Sequence, residues 1–186
     1  QKQRQISFQL CVYRLKGGRV VLFPESEHTL SPVELVLHNG RYYLLGAYDK
    51  SDNVYFSRVD LMKKVELKGA DFPGRDRRNV PALRSFWRGS YQRKYPIMFG
   101  REIQRFRLRC DKEHLTQVVD TFGESLRLLP NTETAETVDV EVEASEGAME
   151  RWILSQGDYL QVVNPDKDFL ERLRQQIGLL EEKYGD

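Results

Sequence analysis

SPVELVLHNGRYYLLGAYDKSDNVYFSRVDLMKKV, residues 31–65, decides how the rest of the chain is read. Asn39-Gly40 lies in its first third. Both residues tolerate positive φ, as a tight I′ hairpin turn requires. The flanking runs, 33–37 and 42–48, are aliphatic, aromatic or β-branched, so each reads as a strand. A second turn over 50–53 leads into a third strand from 54. The stretch is therefore an antiparallel meander. Alternation places Arg41, Tyr43 and Leu45 on one face of the middle strand and Phe56, Arg58 and Asp60 on one face of the next.

Working outward, residues 6–13 read as a strand, Lys16-Gly17-Gly18-Arg19 as a turn, 20–23 as a strand and 24–30 as a loop. That makes at least five strands in the first 65 residues. A small all-β unit hides its edges by curling into a barrel, which is the expectation here. Residues 69–100 contain Gly69, Pro73, Gly74, Pro81, Gly89, Pro96 and Gly100 and read as a linker, with a short helix from Asn79 to about Tyr91. From 101 the pattern is strand, helix, two strands, helix, strand. Asp111 and Ser145 stand as helix caps, and Gly123 and Gly157 as stops. A final helix starting at Asn164-Pro165 carries Phe169, Leu173, Ile177, Leu180 and Tyr184 on one stripe. This βαββαβ order is the ferredoxin-like pattern. The fold class expected is α+β, with a barrel over 1–68, a basic aromatic linker over 69–100 and a ferredoxin-type domain over 101–186.

Several motifs resemble a known family. The string from Ser31-Pro32 through Asn39-Gly40-Arg41-Tyr42-Tyr43-Leu44 to Ser57-Arg58-Val59-Asp60-Leu61-Met62 resembles the core of a WYL domain, with Tyr42 in the Trp place. The family has a second Arg where this chain has Leu61. Met98-Phe99-Gly100, residues 119–123, Trp152-Ile153-Leu154, Asn164-Pro165 and Tyr184 resemble the WCX extension that follows such domains. The resemblance implies an Sm-like barrel that senses nucleic acid or nucleotides. It also implies an N-terminal winged helix-turn-helix that binds DNA; the opening Gln1-Lys-Gln-Arg, without Met, reads as that of a fragment. It further implies a homodimer acting in transcription regulation in the bacterial cytoplasm.

The residues that carry the ligand reading are Arg58, Tyr43, Ser31, Tyr13, Arg41 and Asp60. A guanidinium presents two donors to a phosphate, and a Tyr ring stacks on a base. The resemblance carries over at Tyr43 and Arg58, and extends to Ser31 and Tyr13. Strand tyrosines are also ordinary cross-strand packing, and Arg58 and Asp60 form a ready salt bridge. Residues 75–94 hold seven Lys/Arg and one acid, interleaved with Phe86, Trp87 and Tyr91. That composition suits nucleic acid, and equally suits a connector that packs its aromatics.

Charge divides along the chain. Residues 1–110 contain 22 Lys/Arg and 10 Asp/Glu, a net of +12, and residues 111–186 contain 7 and 18, a net of −11. The basic part favours an anionic ligand. The alternative is a structural module in which basic and acidic halves meet across a dimer. A nucleic-acid-processing accessory role is a further alternative. No apolar run reaches the about 20 residues of a membrane span. No phosphate-binding glycine loop or nucleophile elbow is present, and His28, His38 and His114 lack partners at metal-ligand spacing. A binding protein without cofactor or metal is therefore expected rather than an enzyme. Cys11 and Cys110 fit no disulfide framework and read as buried thiols of a reducing compartment.

Overall fold

The fold is described from a computed structural model, over residues 4–84, 91–100 and 102–185. The chain divides into two units, Gln1–Gly89 and Ser90–Asp186.

The first unit is a five-stranded antiparallel sheet. Its strands are β1 (Ile6–Lys16), β2 (Arg19–His38), β3 (Arg41–Ala47), β4 (Tyr55–Arg58) and β5 (Met62–Leu67), in the spatial order β4-β3-β2-β1-β5. Asn39 and Gly40 take φ of 48° and 71°, as the I′ turn between β2 and β3 demands. β2 is one strand of 20 residues. Its first part pairs with β1 up to Leu30 and its second part, from Ser31, pairs with β3. The loop expected over 24–30 is thus part of the strand. Pro24 is tolerated because the β1–β2 register shifts beside it, between Leu10 and Cys11. From there Ser26 and His28 are half-buried and Leu30 buried, while Glu25, Glu27 and Thr29 face water.

The expected barrel does not close. β4 and β5 lie at opposite edges of the sheet, joined by a 3-10 turn over Val59–Leu61. One core cluster joins Phe8, Leu30 and Leu44, with Ile6, Leu10, Tyr48 and Met62 packed against them, and Leu45, Ala47 and Val54 are buried as well. Residues Cys11–Lys16 of β1 pair only with β2, so the hairpin continues past the sheet as a two-stranded ribbon.

The segment read as a linker divides between the two units. Its first part is fastened to the first unit. The Arg75 guanidinium donates to the carbonyls of Tyr48 at 2.8 Å, Ser51 at 2.5 Å and Asn79 at 2.6 Å. Gln5 donates to Asp49 at 2.7 Å, and Val80 and Leu83 are buried. The short helix α1 spans Pro81–Arg84, and α2, in the second unit, spans Tyr91–Lys94. The intervening part of the expected helix, with Phe86 and Trp87, lies outside the described residues.

The second unit follows the anticipated succession of elements. β6 (Ile103–Asp111), α3 (Leu115–Phe122), β7 (Arg127–Leu128), β8 (Thr137–Ser145), α4 (Glu146–Gln156), β9 (Leu160–Val162) and α5 (Lys167–Tyr184) build an antiparallel sheet in the order β7-β8-β6-β9. Phe106, Leu108 and Cys110 of β6 and Val138, Val140 and Val142 of β8 meet Phe122, Trp152 and Phe169 of the helices in one core. The Phe122 and Trp152 rings meet edge to face, with centroids 4.9 Å apart.

Two caps differ from expectation. A 3-10 turn, Lys112–His114, intervenes between Asp111 and α3, and the Asp111 side chain makes no cap bond. Ser145 stands at the N-cap of α4, also without a side-chain cap bond. At α5 the bond comes from Asp166, whose carboxylate accepts the Phe169 N–H at 2.9 Å. Phe169 and Leu173 of the α5 stripe are buried, whereas Ile177, Leu180 and Tyr184 further along it are exposed.

Candidate functional site

The hairpin register builds the site. Tyr43 on β3 pairs with Arg58 on β4, and Leu45 with Phe56. Continued by two residues, the same register sets Arg41 opposite Asp60, just inside the 3-10 turn. Exposure rises along this face. Leu45 is fully buried, Tyr43 and Arg58 are half-buried, and Arg41 and Asp60 are exposed. An apolar floor therefore grades into a charged rim, so that the guanidinium of Arg58 has its stem supported and its head accessible.

Arg58 grips Asp60 with two bonds, Nε to Oδ1 at 3.1 Å and Nη2 to Oδ2 at 2.6 Å. Arg41 Nη1 reaches the same Oδ2 at 3.4 Å. The two arginines share one carboxylate, leaving a net positive charge and unused guanidinium N–H groups at the rim. The hydrogen bond to Asp60 raises the Arg58 pKa, and the hydroxyls of Tyr43 and Tyr13 lie near enough to add to it. The reciprocal bond from Arg58 holds the Asp60 carboxyl below its ordinary range. Tyr13 sits at the root of the ribbon and is 56% exposed. Tyr43 meets the His38 ring edge-on at 6.3 Å.

Four of the six expected residues thus come together: Arg58, Tyr43, Arg41 and Asp60; Tyr13 lies on the β1–β2 ribbon, opposite Leu22. Ser31 has another occupation. It is fully buried, and its hydroxyl accepts the Arg75 backbone N–H at 2.8 Å. Leu61 is half-buried in the 3-10 turn.

The basic segment offers less than its composition promised. Arg75 is engaged with carbonyls, as above. Arg78 donates to Asp76 at 3.1 Å and Lys94 to Glu143 at 3.0 Å. Tyr91 and Tyr95 are fully buried, and burial pushes the Tyr95 hydroxyl up to about 12. Tyr91, and Tyr95 just beyond the segment, thus present no ring to solvent.

A polar row in the first unit escaped the sequence reading. His28 lies between two hydroxyls: Nε2 is 2.7 Å from Ser26 Oγ, and Nδ1 bonds the Tyr48 hydroxyl. Its ring stacks on Phe8, its register partner on β1, at 5.3 Å. Burial lowers the His28 pKa. The only signal for this row is the β1–β2 register, which local alternation does not reveal.

The second unit carries a cleft of about 350 Å³ lined by Asp111, Lys112, Glu113, His114, Ala135 and Glu136. Lys112 there is bonded to Glu133 at 2.6 Å, and His114 stacks on Tyr159 with centroids 4.1 Å apart. Among the described residues no group of three or more His, Cys, Asp or Glu is placed to hold a metal ion. Cys11 and Cys110 are buried free thiols, and burial pushes the Cys110 thiol up to about 12. No described helix is long and apolar enough to cross a membrane.

Comparison with known proteins places the site within a family match. Residues 3–67, roughly a third of the chain, match the family described as WYL domain, and that span contains Tyr13, Arg41, Tyr43, Arg58 and Asp60. No curated protein is similar enough to match the chain. Among solved structures, "Proteasome accessory factor B/C (PafBC) of Arthrobacter aurescens" is similar at 15% identity and a TM-score of 0.36, over 99% of this chain and 25% of that one. A "Crystal structure of a CRISPR Cas-related protein" is similar at 10% identity and a TM-score of 0.31, over 98% of this chain and 48% of that one. The chain therefore spans less than half the length of either.

Proposed function

We propose that this chain is the ligand-sensing part of a WYL-type transcriptional regulator, whose first unit binds a nucleotide or short nucleic-acid fragment through Arg58, Arg41, Tyr43 and Tyr13. The observation that carries the reading is the register pair Tyr43–Arg58, with a second arginine, Arg41, on the same carboxylate, inside the WYL-matching residues. A guanidinium with free N–H groups beside aromatic rings is a donor set for phosphate plus base. Binding, not catalysis, is the role. In the regulator as a whole, an N-terminal winged helix-turn-helix contacts DNA in the cytoplasm, and the chain works as a homodimer. The exposed Ile177, Leu180 and Tyr184 on α5 are apolar surface of the kind that supports dimerisation. Strand order β4-β3-β2-β1-β5 supports an Sm-like connectivity without closure, and order β7-β8-β6-β9 supports a ferredoxin-like, WCX-type second unit.

The test is fluorescence anisotropy of labelled single-stranded DNA, RNA and duplex at two salt concentrations. The expected outcome is salt-dependent binding that falls at least about tenfold in Arg58→Ala, since a charged hydrogen-bond partner is worth roughly 1.5–3 kcal/mol. Equal affinity of the variant and the parent chain rejects this site.

A further inference from the structure

We propose that Asp60 is a built-in competitor for the site: its carboxylate occupies the Arg58 guanidinium in the place an incoming oxyanion must take, so that ligand binding is an exchange of one anion for another. The inference rests on the anion-site reading above and assigns a residue that acts against affinity.

The geometry supports exchange. A carboxylate on Nε and Nη2 of one arginine is the side-on, two-bond arrangement that a phosphate also uses. The second arginine leans on the same oxygen at the longer 3.4 Å, so Asp60 stands in a two-arginine setting as a phosphate would. Yet the pair is not sealed. Asp60 keeps 43% of its side-chain surface and Arg58 keeps 27%. Exposed ion pairs contribute little, because water solvates the separated charges nearly as well. Asp60 is therefore held firmly enough to orient Arg58 and loosely enough to leave. A phosphate brings more charge and more acceptor oxygens than one carboxylate, so it wins the contest, while a simple carboxylate ligand does not.

Position adds a consequence. Asp60 is the middle residue of the 3-10 turn Val59–Leu61, which joins β4 to β5. Displacing its side chain releases the bonds by which Asp60 ties that turn to Arg58 and Arg41 of the β3–β4 hairpin. The loop between the two open edges of the sheet thereby becomes sensitive to occupancy.

The experiment compares the parent chain, Asp60→Asn and Arg58→Ala in titrations with three probes: inorganic pyrophosphate, acetate and a labelled ten-residue oligothymidylate. Asn keeps the size and an acceptor oxygen but removes the charge, and the position is exposed, so folding is preserved; circular dichroism checks this. The expected result is that Asp60→Asn binds pyrophosphate and oligothymidylate about two- to fivefold more tightly, a ratio set by the usual weakness of an exposed pair. Acetate, which fails on the parent chain, gains measurable binding in Asp60→Asn. Unchanged or weaker binding by Asp60→Asn, with Arg58→Ala still defective, overturns the competitor role and makes Asp60 a positioning residue instead. Failure of all three proteins to bind any probe, or equal binding by Arg58→Ala, rejects the anion site itself.

Discussion

At the scale of single residues, the tightest demand in the first unit falls on Gly46. A β-carbon there would lie 2.5 Å from Leu30 Cδ1 and 3.2 Å from the Ser31 carbonyl oxygen. Leu30 is itself a buried member of the core, so it has little room to yield. Gly46→Ala is expected to destabilise the unit by about 1–3 kcal/mol through overpacking, lowering its melting temperature by several degrees. Adding Leu30→Val should recover part of the loss, because the two changes share one volume. Calorimetry on the single and double variants measures both effects; strict additivity would show that the Leu30 contact is not the cause. The candidate site belongs to the same scale, and much of it was legible beforehand. Asn39-Gly40 fixes the register of β2 on β3, alternation fixes the faces, and Tyr43, Arg58, Arg41 and Asp60 follow. Ser31 did not follow, because its partner, Arg75, lies far along the chain in a segment whose fold no local pattern dictates.

At the scale of elements, the row Ser26–His28–Tyr48 links the first part of β2 to the end of β3. A neutral imidazole has one donor and one acceptor, and hydroxyls on both sides satisfy either tautomer. Protonation turns both nitrogens into donors in a place where burial already disfavours charge. The folded pKa is therefore depressed, while the unfolded imidazole titrates near about 6.5. Above that value both states are neutral and pH has no effect through His28. As pH falls below it the unfolded chain takes up the proton first, so stability declines until the folded value is passed. The first unit is expected to lose stability between about pH 7 and pH 5, and His28→Gln to flatten that slope relative to the parent chain. Urea titrations at the two pH values decide it; identical slopes would remove His28 as the cause. Element reading from sequence was weakest in this same region. Pro24 and three polar residues at 25–27 resemble a loop, yet a bulge absorbs the proline and alternation then resumes. Closure into a barrel was the wrong inference for a related reason. Strand count says nothing about whether the two outermost strands pair, and β4 and β5 do not. The second unit was more legible, since its helices and strands carry full-length periodic patterns ended by glycines.

At the scale of the whole molecule, the charge division softens once the units are known. Residues 1–89 hold 16 Lys/Arg and 9 Asp/Glu, 16 − 9 = +7, and residues 90–186 hold 13 and 19, 13 − 19 = −6. The arginines of β6 had inflated the first sum. They belong to the second unit and meet its acids: Arg107 and Arg109 converge on the buried Asp139 at 2.7 and 2.9 Å. Each unit has a hydrophobic core of its own. Two unfolding transitions are therefore expected. Trp152, set in the second core, reports one of them. In a Trp87→Phe background its fluorescence transition should keep its urea midpoint when His28→Gln is introduced, while the circular-dichroism transition of the β-rich unit at low pH moves. A Trp152 midpoint that shifts with His28→Gln would mean the units unfold as one.

The strand order also sets a timetable. β1 to β4 are neighbours in sequence as well as in space, so each hairpin can zip up as soon as it is made. β5 is different: Ile6 finds its partner only at Leu67. At the 5–20 residues per second of synthesis, the outer edge of β1 waits for roughly 3–12 seconds before it is covered. Its apolar side chains and unpaired amides stand open for that time, which leaves the first strand exposed to chaperones and to aggregation during biogenesis.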